Sequence, residues 1–507
     1  MRKTITICCL VPLLLLAASC ESWLDVQPKT EIKESTMFET EQGFKDALIG
    51  CYELLSERDA YGAEMTCTFM EVLARQYYLG EYVSGTYYNA YRYIYTGTTS
   101  TVDGIWAKLY TVIANVNAMT EALERNRDML APVSYSLLKA EACGLRAFIY
   151  FDLVRLFTWG NLPERPEVLN EPSIPYTKVY SKHLVPQEKL GFVLREIHRD
   201  LETAIDLFLD YDPDSKKGSR PDDYTTPSNE DQFWSASQRK YRMNLRAAMA
   251  TRMRLNLWEG NYQEAYEDTQ TLQSNDYPLQ WITAGELTTD DKSKDLTFAK
   301  EMIFGVQTYE RYEKVWKTYF KRLAADDLNS NSNFMSMKKE DGEERYEVES
   351  GLGVADYRYT YWWGEKTHDD GTWCFNKFAE VENMTTANNM PLIKSSEICY
   401  TEAECLLRMG GEANKVKAVE ALNRVRNNRG LSSSPLATSL SASEVWDELE
   451  KEWRKESVGE GQLFFYYKRQ NLQIPGASNA PDDKMFVLPL PQNEVDLGGS
   501  VDLIERN

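Results

Sequence analysis

The chain has 507 residues, 43% of them hydrophobic, so it can bury a large core and form one or two domains. Its formal charge of −21 argues against nucleic acid and against adsorption to anionic lipid headgroups.

Arg2 and Lys3 precede a short apolar run, Val11 to Ala18, interrupted only by Pro12. A helix needs about 20 apolar residues to span a bilayer, so this run reads as a removable signal. Ala17, Ala18 and Ser19 then place small residues directly before Cys20. That is the pattern of a bacterial lipoprotein, in which Cys20 takes fatty acyl chains such as palmitate and becomes the new N-terminus. The alternative is an ordinary signal cut near Ala18 with an incidental Cys20. Several acyl chains, at about 0.8 kcal/mol per buried methylene, would anchor the chain without a transmembrane helix.

Beyond the signal most of the chain reads as helix. The segment 103–123 is one helix, with Asp103 as its expected cap. In the next, 137–157, Leu138, Ala142, Leu145, Ile149, Leu153 and Leu156 recur at three- and four-residue steps. Phe148, Phe151 and Phe157 widen that stripe, so this helix is expected to be buried on most sides. Residues 239–254 are the nearest thing to a basic patch; their charges fall around all faces, which predicts a solvated helix. Residues 246–274 give two helices joined at Glu259-Gly260-Asn261, resembling the turn of a tetratricopeptide-like pair. Residues 397–431 repeat the plan, with the turn at Gly410-Gly411 and a stop at Gly430. Ser441 and Glu444 form a capping box for the helix carrying Trp446, Leu449 and Trp453.

Three stretches, 159–187, 210–236 and 305–390, are rich in Pro, Gly, Asn, Asp and aromatics and lack helical periodicity. Their aromatic content favours ordered, functional loops over disorder. Short β-hairpins are expected around 357–378. The overall expectation is a mainly α fold: tetratricopeptide-like helix pairs forming a scaffold, with long irregular loops and a few short β-hairpins.

Catalytic motifs are few. His183, His198 and His368 have no HExxH or HxH spacing, and neither a GxSxG elbow nor a phosphate-binding glycine loop occurs. Carboxylates are so abundant that no glycosidase pair can be singled out. Cys143, Cys399 and Cys405 sit in apolar helical patterns, where a buried free thiol is the default. Spacing names no disulfide, no metal site and no cofactor.

Aromatic side chains are the better lead, at 12% of the chain. The C–H face of a pyranose stacks on a ring while neighbouring polar groups bind its hydroxyls. Trp106, Trp258, Trp446 and Trp453 fall on helix stripes and are assigned to packing. Tyr361, Trp362 and Trp363 are expected as half-buried strand residues. Tyr87, Tyr88, Tyr91, Trp234, Tyr309, Tyr312, Trp316 and Tyr319 lie in or beside irregular segments and are the ligand-binding candidates. Among them, Trp316→Ala is expected to weaken glycan binding and leave stability nearly unchanged.

Six segments, taken in order, resemble the SusD/RagB-like family of Bacteroidetes outer-membrane lipoproteins. They are residues 20–28, 38–55, 145–163, 403–431, 454–469 and 488–498. The chain departs at Leu463 and Tyr466, where the family often carries an arginine and an aspartate, and it matches least over about 305–390. The resemblance implies a signal at 1–19, a lipidated tether at 20–40 and a single domain over 41–507. It implies a protein on the outer face of the outer membrane, acting as a lid on a TonB-dependent SusC-like β-barrel transporter. Such proteins capture oligosaccharides, or in some members peptides, without catalysis or a cofactor. A glycan-degrading enzyme is the alternative from another class.

Overall fold

A computed structural model describes residues 36–80, 83–227, 231–289, 294–322, 333–379 and 388–506. The signal and Cys20 lie outside the described residues, and no described helix is long and apolar enough to cross a membrane.

Ten α-helices of eight residues or more form the body among the described residues. They are α1 (Glu41–Leu55), α2 (Thr99–Arg125), α3 (Pro132–Phe157), α4 (Leu190–Tyr211), α5 (Leu245–Glu259), α6 (Tyr262–Leu272), α7 (Ser395–Met409), α8 (Glu412–Asn427), α9 (Ala442–Glu456) and α10 (Leu463–Gln470). From α1 to α9 each helix packs on the next, so the scaffold is a sequential array of helix pairs. The α5–α6 turn is made possible by Gly260, at φ +85° with Pro163 against the position a Cβ would take. The capping box at Ser441 and Glu444 is present, with both reciprocal hydrogen bonds. Asp103 is not a cap: α2 begins four residues earlier, at Thr99, with Thr98 before it.

Helix α3 is enclosed from Val133 to Phe157, with only Lys139 part-exposed. Its polar side chains are therefore paired. Arg146 forks onto Asp200 of α4 at 2.7 and 2.9 Å, and Glu141 accepts two 2.7 Å hydrogen bonds from Arg242. One contiguous apolar core runs from Phe38 to Leu490.

The expectation of a solvated helix over 239–254 is overturned by the same logic. Arg239, Arg242 and Arg254 are buried, forked onto Asp212, Glu141 and Glu397. Nor is the segment one helix: Ala236–Arg239 is a short helix, Arg242 lies in the turn after it and α5 begins at Leu245, so each arginine meets its acidic partner from a different element.

The irregular stretches carry the small sheets. Strands β1 (Tyr78–Leu79), β5 (Met335–Lys338), β7 (Thr372–Phe375) and β6 (Trp363–Gly364) form one sheet in that order. β2 (Pro172–Pro175) pairs with β3 (Gln187–Lys189), and β4 (Met302–Gln307) with β8 (Asn389–Lys394), all antiparallel. The hairpin expected at 357–378 is present as the β6–β7 pair, but Tyr357–Trp362 is a helix. Trp362 and Trp363 are fully buried, not half-buried, because their indole N–H groups find the Leu296 carbonyl and the Tyr346 hydroxyl at 2.8 and 2.9 Å. Tyr361 is half-buried at the helix end.

Below α9 lies a buried ionic network. Arg358, Lys377, Lys394, Arg426 and Arg429 meet Glu301, Asp356, Glu452, Glu456 and Glu460, so the two signs balance. Arg429 forks onto Glu301 at 2.6 and 2.8 Å and also binds both oxygens of Glu456 at 2.6 and 2.9 Å. Lys394, at the end of β8, reaches Glu456 at 2.8 Å and Glu460 at 2.7 Å. Burial alone would raise the Glu452 carboxyl, but Arg358, Lys455 and Arg426 outweigh it and hold it at about 2.

The six described cysteines, Cys51, Cys67, Cys143, Cys374, Cys399 and Cys405, are all free and buried.

Two outcomes follow. Glu456→Gln strands buried cations and is expected to cost about 3–5 kcal/mol in chemical unfolding. A carboxyl held below its unfolded value stabilises the fold above that value and stops doing so as pH falls through the folded one. The stability contributed by Glu452 is therefore expected to be lost as pH falls from about 4.5 to about 2, which a pH series of thermal melts on the parent and Glu452→Gln measures.

Candidate functional site

A cleft of about 930 Å³ opens where the last turns of α1 face the 233–242 segment, β4 and the residue before β8. Tyr52, Phe233, Tyr241 and Tyr309 line it with rings; Glu53, Ser237, Gln238, Gln307 and Asn388 add polar groups. The volume falls in the range of small-molecule sites, about 300–1,000 Å³.

Its floor is rigid. Arg242 lies 4.1 Å above the Phe233 ring while its fork holds Glu141. Tyr52 donates to Glu141 at 2.5 Å and accepts from the Met243 backbone N–H at 2.8 Å, so its hydroxyl is spent and its ring is the usable surface. Burial, then the Glu141 charge, keeps that phenol protonated well above its ordinary value.

The wall is set by the β4–β8 pair. Gly305 donates its N–H to the Tyr241 carbonyl at 2.9 Å, and a Cβ there would sit 2.0 Å from Met302 Cε and 2.8 Å from the Met390 carbonyl. Only glycine lets β4 approach so closely. After β4, Thr308 N–H bonds the Asn388 carbonyl at 2.7 Å, and Tyr309 projects from that clasp with 74% of its surface exposed. Lys314 stands 5.7 Å from its ring.

The sequence candidates separate. Tyr309 is in the cleft, and Tyr88 is exposed elsewhere, its hydroxyl bound by Arg92 at 3.1 Å. Tyr91 lies under Arg75, 3.8 Å from its ring, in a different cavity. The side chain of Tyr312 lies outside the described residues.

Tyr87, Trp234 and Tyr319 are interior residues. Tyr87 and Tyr319 meet edge to face at 5.8 Å, and the Tyr87 hydroxyl bonds buried Glu64 at 3.0 Å. Trp234 stands behind Phe233, edge-on at 4.8 Å, so its neighbour and not Trp234 presents a ring to the cleft. Trp316 is half-buried and donates its indole N–H to the Phe375 carbonyl at 2.9 Å. Its ring therefore also takes part in packing against the core.

Phe233, Tyr241, Gln307 and Asn388 escaped sequence reasoning. Phe233 and Tyr241 sit beside Trp234 and the arginine-rich segment, and no local periodicity tells which ring of a short turn faces out. Among the described residues no three His, Cys, Asp or Glu side chains stand close enough to hold a metal ion.

A helix-pair scaffold presenting a ring-lined cleft defines a binding protein class, and comparison gives the family. Residues 208–480 match the pattern of the SusD family, and residues 22–222 match a related one described as starch-binding and associating with the outer membrane. The chain belongs to the SusD family. It is 27% identical over 171 residues to a SusD-like protein of Formosa agariphila, aligning with 30% of each chain. A second SusD-like protein of that organism is 27% identical over 155 residues, 29% of this chain and 27% of the relative. The chain thus aligns with under a third of the length of these relatives. Among solved structures, a SusD superfamily protein of Bacteroides thetaiotaomicron is similar at TM-score 0.65 and 19% identity, covering 92% of this chain and all of that one. A SusD-like carbohydrate binding protein of Bacteroides vulgatus is similar at TM-score 0.66 and 17% identity, covering 90% and 96%.

Trp316→Ala is expected to lose about 1–3 kcal/mol of stability, since it removes a packed ring and orphans the Phe375 carbonyl. Tyr309→Ala, which removes an exposed ring, is expected to melt within a degree or two of the parent.

Proposed function

We propose that this protein binds oligosaccharides in the cleft between α1 and β4 and passes them to a TonB-dependent SusC-like β-barrel transporter. The observation that carries the reading is Tyr309, a fully presented ring over a rigid, polar cleft. A pyranose can lay its C–H face on that ring while Gln307, Asn388, Glu53 and Gln238 bind its hydroxyls. Membership of the SusD family supports the same reading, and so does the match of residues 22–222 to a related pattern described as starch-binding and associating with the outer membrane. So does similarity to a Bacteroides vulgatus protein described as carbohydrate-binding. Capture and release need only different affinities in two states, so no chemistry is required of the site.

The anchor belongs to the same proposal. Cys20, after its signal, carries the acyl chains, and the folded body stands on the outer face of the outer membrane as a single domain over 41–507. Cys20→Ala is expected to abolish metabolic palmitate labelling and release the protein from the membrane fraction.

Calorimetric titration with a panel of oligosaccharides tests the cleft. The parent is expected to bind at least one saturably and without products. Tyr309→Ala should weaken that binding about five- to tenfold, the loss of roughly 1 kcal/mol or more of ring stacking. Unchanged affinity in Tyr309→Ala, or turnover of the sugar, would overturn the reading.

A further inference from the structure

A second cavity, about 370 Å³, lies between residues 74–78, the helix Lys339–Arg345 after β5, and the Arg454, Tyr467 and Gly476 region. It shares no lining residue with the cleft. Arg146, Arg254, Arg358, Arg429 and Arg469 each fork onto a carboxylate. Arg345 does not. Only 8% exposed, it leaves Nε and Nη1 without a hydrogen bond, and its Nη2 makes one long contact, 3.4 Å, to the Gln76 carbonyl.

Arg454 faces the same cavity and forms no ion pair among the described residues, so two guanidiniums stand near each other uncompensated. Burial and then this neighbour push the Arg345 guanidinium below its ordinary value. The buried Tyr77 hydroxyl also lacks a partner, and so does Nε of Arg75, whose other nitrogens hold the Gly476 and Tyr91 carbonyls. Lys338 stands over Tyr78 at 4.6 Å. Asp341 and Glu344 line the cavity, but neither pairs with these arginines among the described residues. In a chain with a formal charge of −21, an unneutralised basic pocket is out of character.

We propose that this cavity is a second ligand site, made for an oxyanion: a carboxylate or sulfate group of an acidic sugar, gripped by Arg345 and Arg454. Guanidiniums bind such groups through two parallel N–H···O bonds, and the oxyanion supplies the missing partner and cancels the repulsion. The assignment to a sugar rests on the carbohydrate reading above; the assignment to an oxyanion stands without it.

The test is calorimetry on the full mature chain at fixed ionic strength. The probes are trigalacturonate, its uncharged methyl ester, a sulfated galactose disaccharide, a short unmodified peptide and inorganic sulfate. At least one charged sugar is expected to bind saturably, with the methyl ester at least tenfold weaker than trigalacturonate if that is the ligand. Arg454→Gln, at a half-buried position, should melt no lower than the parent yet bind the charged sugar at least tenfold more weakly; Arg345→Gln should do likewise. Tyr309→Ala should leave monomeric galacturonate or sulfate binding unchanged, which separates this pocket from the cleft. No saturable response to either charged sugar, or undiminished binding in Arg454→Gln, would overturn the proposal. Response to inorganic sulfate alone, or to the peptide alone, would overturn its assignment to a sugar. Neutral oligosaccharide binding with no anion response would sink this pocket and leave the cleft standing.

Discussion

The ionic network beneath α9 is the constraint on which the rest of the fold depends. Ten charged side chains from segments between residues 301 and 460 are brought out of water together. Such groups are tolerated when the charges are matched and nearly all hydrogen-bonding positions are filled; here Arg426 Nε goes without a partner. Glu456 alone engages Arg358, Arg429 and Lys394, which come from a short helix in the irregular middle, the end of α8 and the end of β8. Apolar packing could join these elements, but it would accept small slips between them; a forked guanidinium would not. The network therefore sets where β8 ends and, through its pairing, where β4 runs.

The cleft inherits its shape from that placement. β4 pairs with β8 from Gln307–Asn389 back to Met302–Lys394, so the residue that enters the ionic network also ends the strand pair bearing Tyr309. On the opposite wall, Glu141 of the enclosed helix α3 holds Arg242, and Arg242 carries Phe233. Both walls are thus fixed by buried charges, and only side-chain tips at the rim remain adaptable. A binding surface built this way spends little ordering entropy on capture.

The helices were legible because their apolar residues, caps and turn glycines recur at helical spacing. The stripe through Leu138, Leu145 and Leu153, the glycine turns at Gly260 and Gly410, and the Ser441 box are all local signals, and local rules suffice for them. Residues 239–254 were misread because a charge on a helix carries no mark of its partner: Asp212, Glu141 and Glu397 lie from 27 to 143 residues away. The loop aromatics are hard to sort from sequence for a related reason. Phe233 and Trp234 are adjacent and chemically alike, and only tertiary packing decides which faces the cleft. Tyr309 was one of eight ring candidates, and no local signal set it above the others. Arg345 gave no signal at all, since what distinguishes it is the lack of a partner that sequence never shows.

The six enclosed thiols bear on how such a chain lives in an oxidising compartment, on the reading that it is exported. Burial pushes Cys51, Cys67 and Cys399 up to about 12, so their reactive thiolate form is all but absent near neutrality. Once the chain is folded, these six described thiols are shielded from a disulfide-forming catalyst. The danger is confined to the interval before the helices close over these sulfurs, so rapid collapse itself acts as the antioxidant.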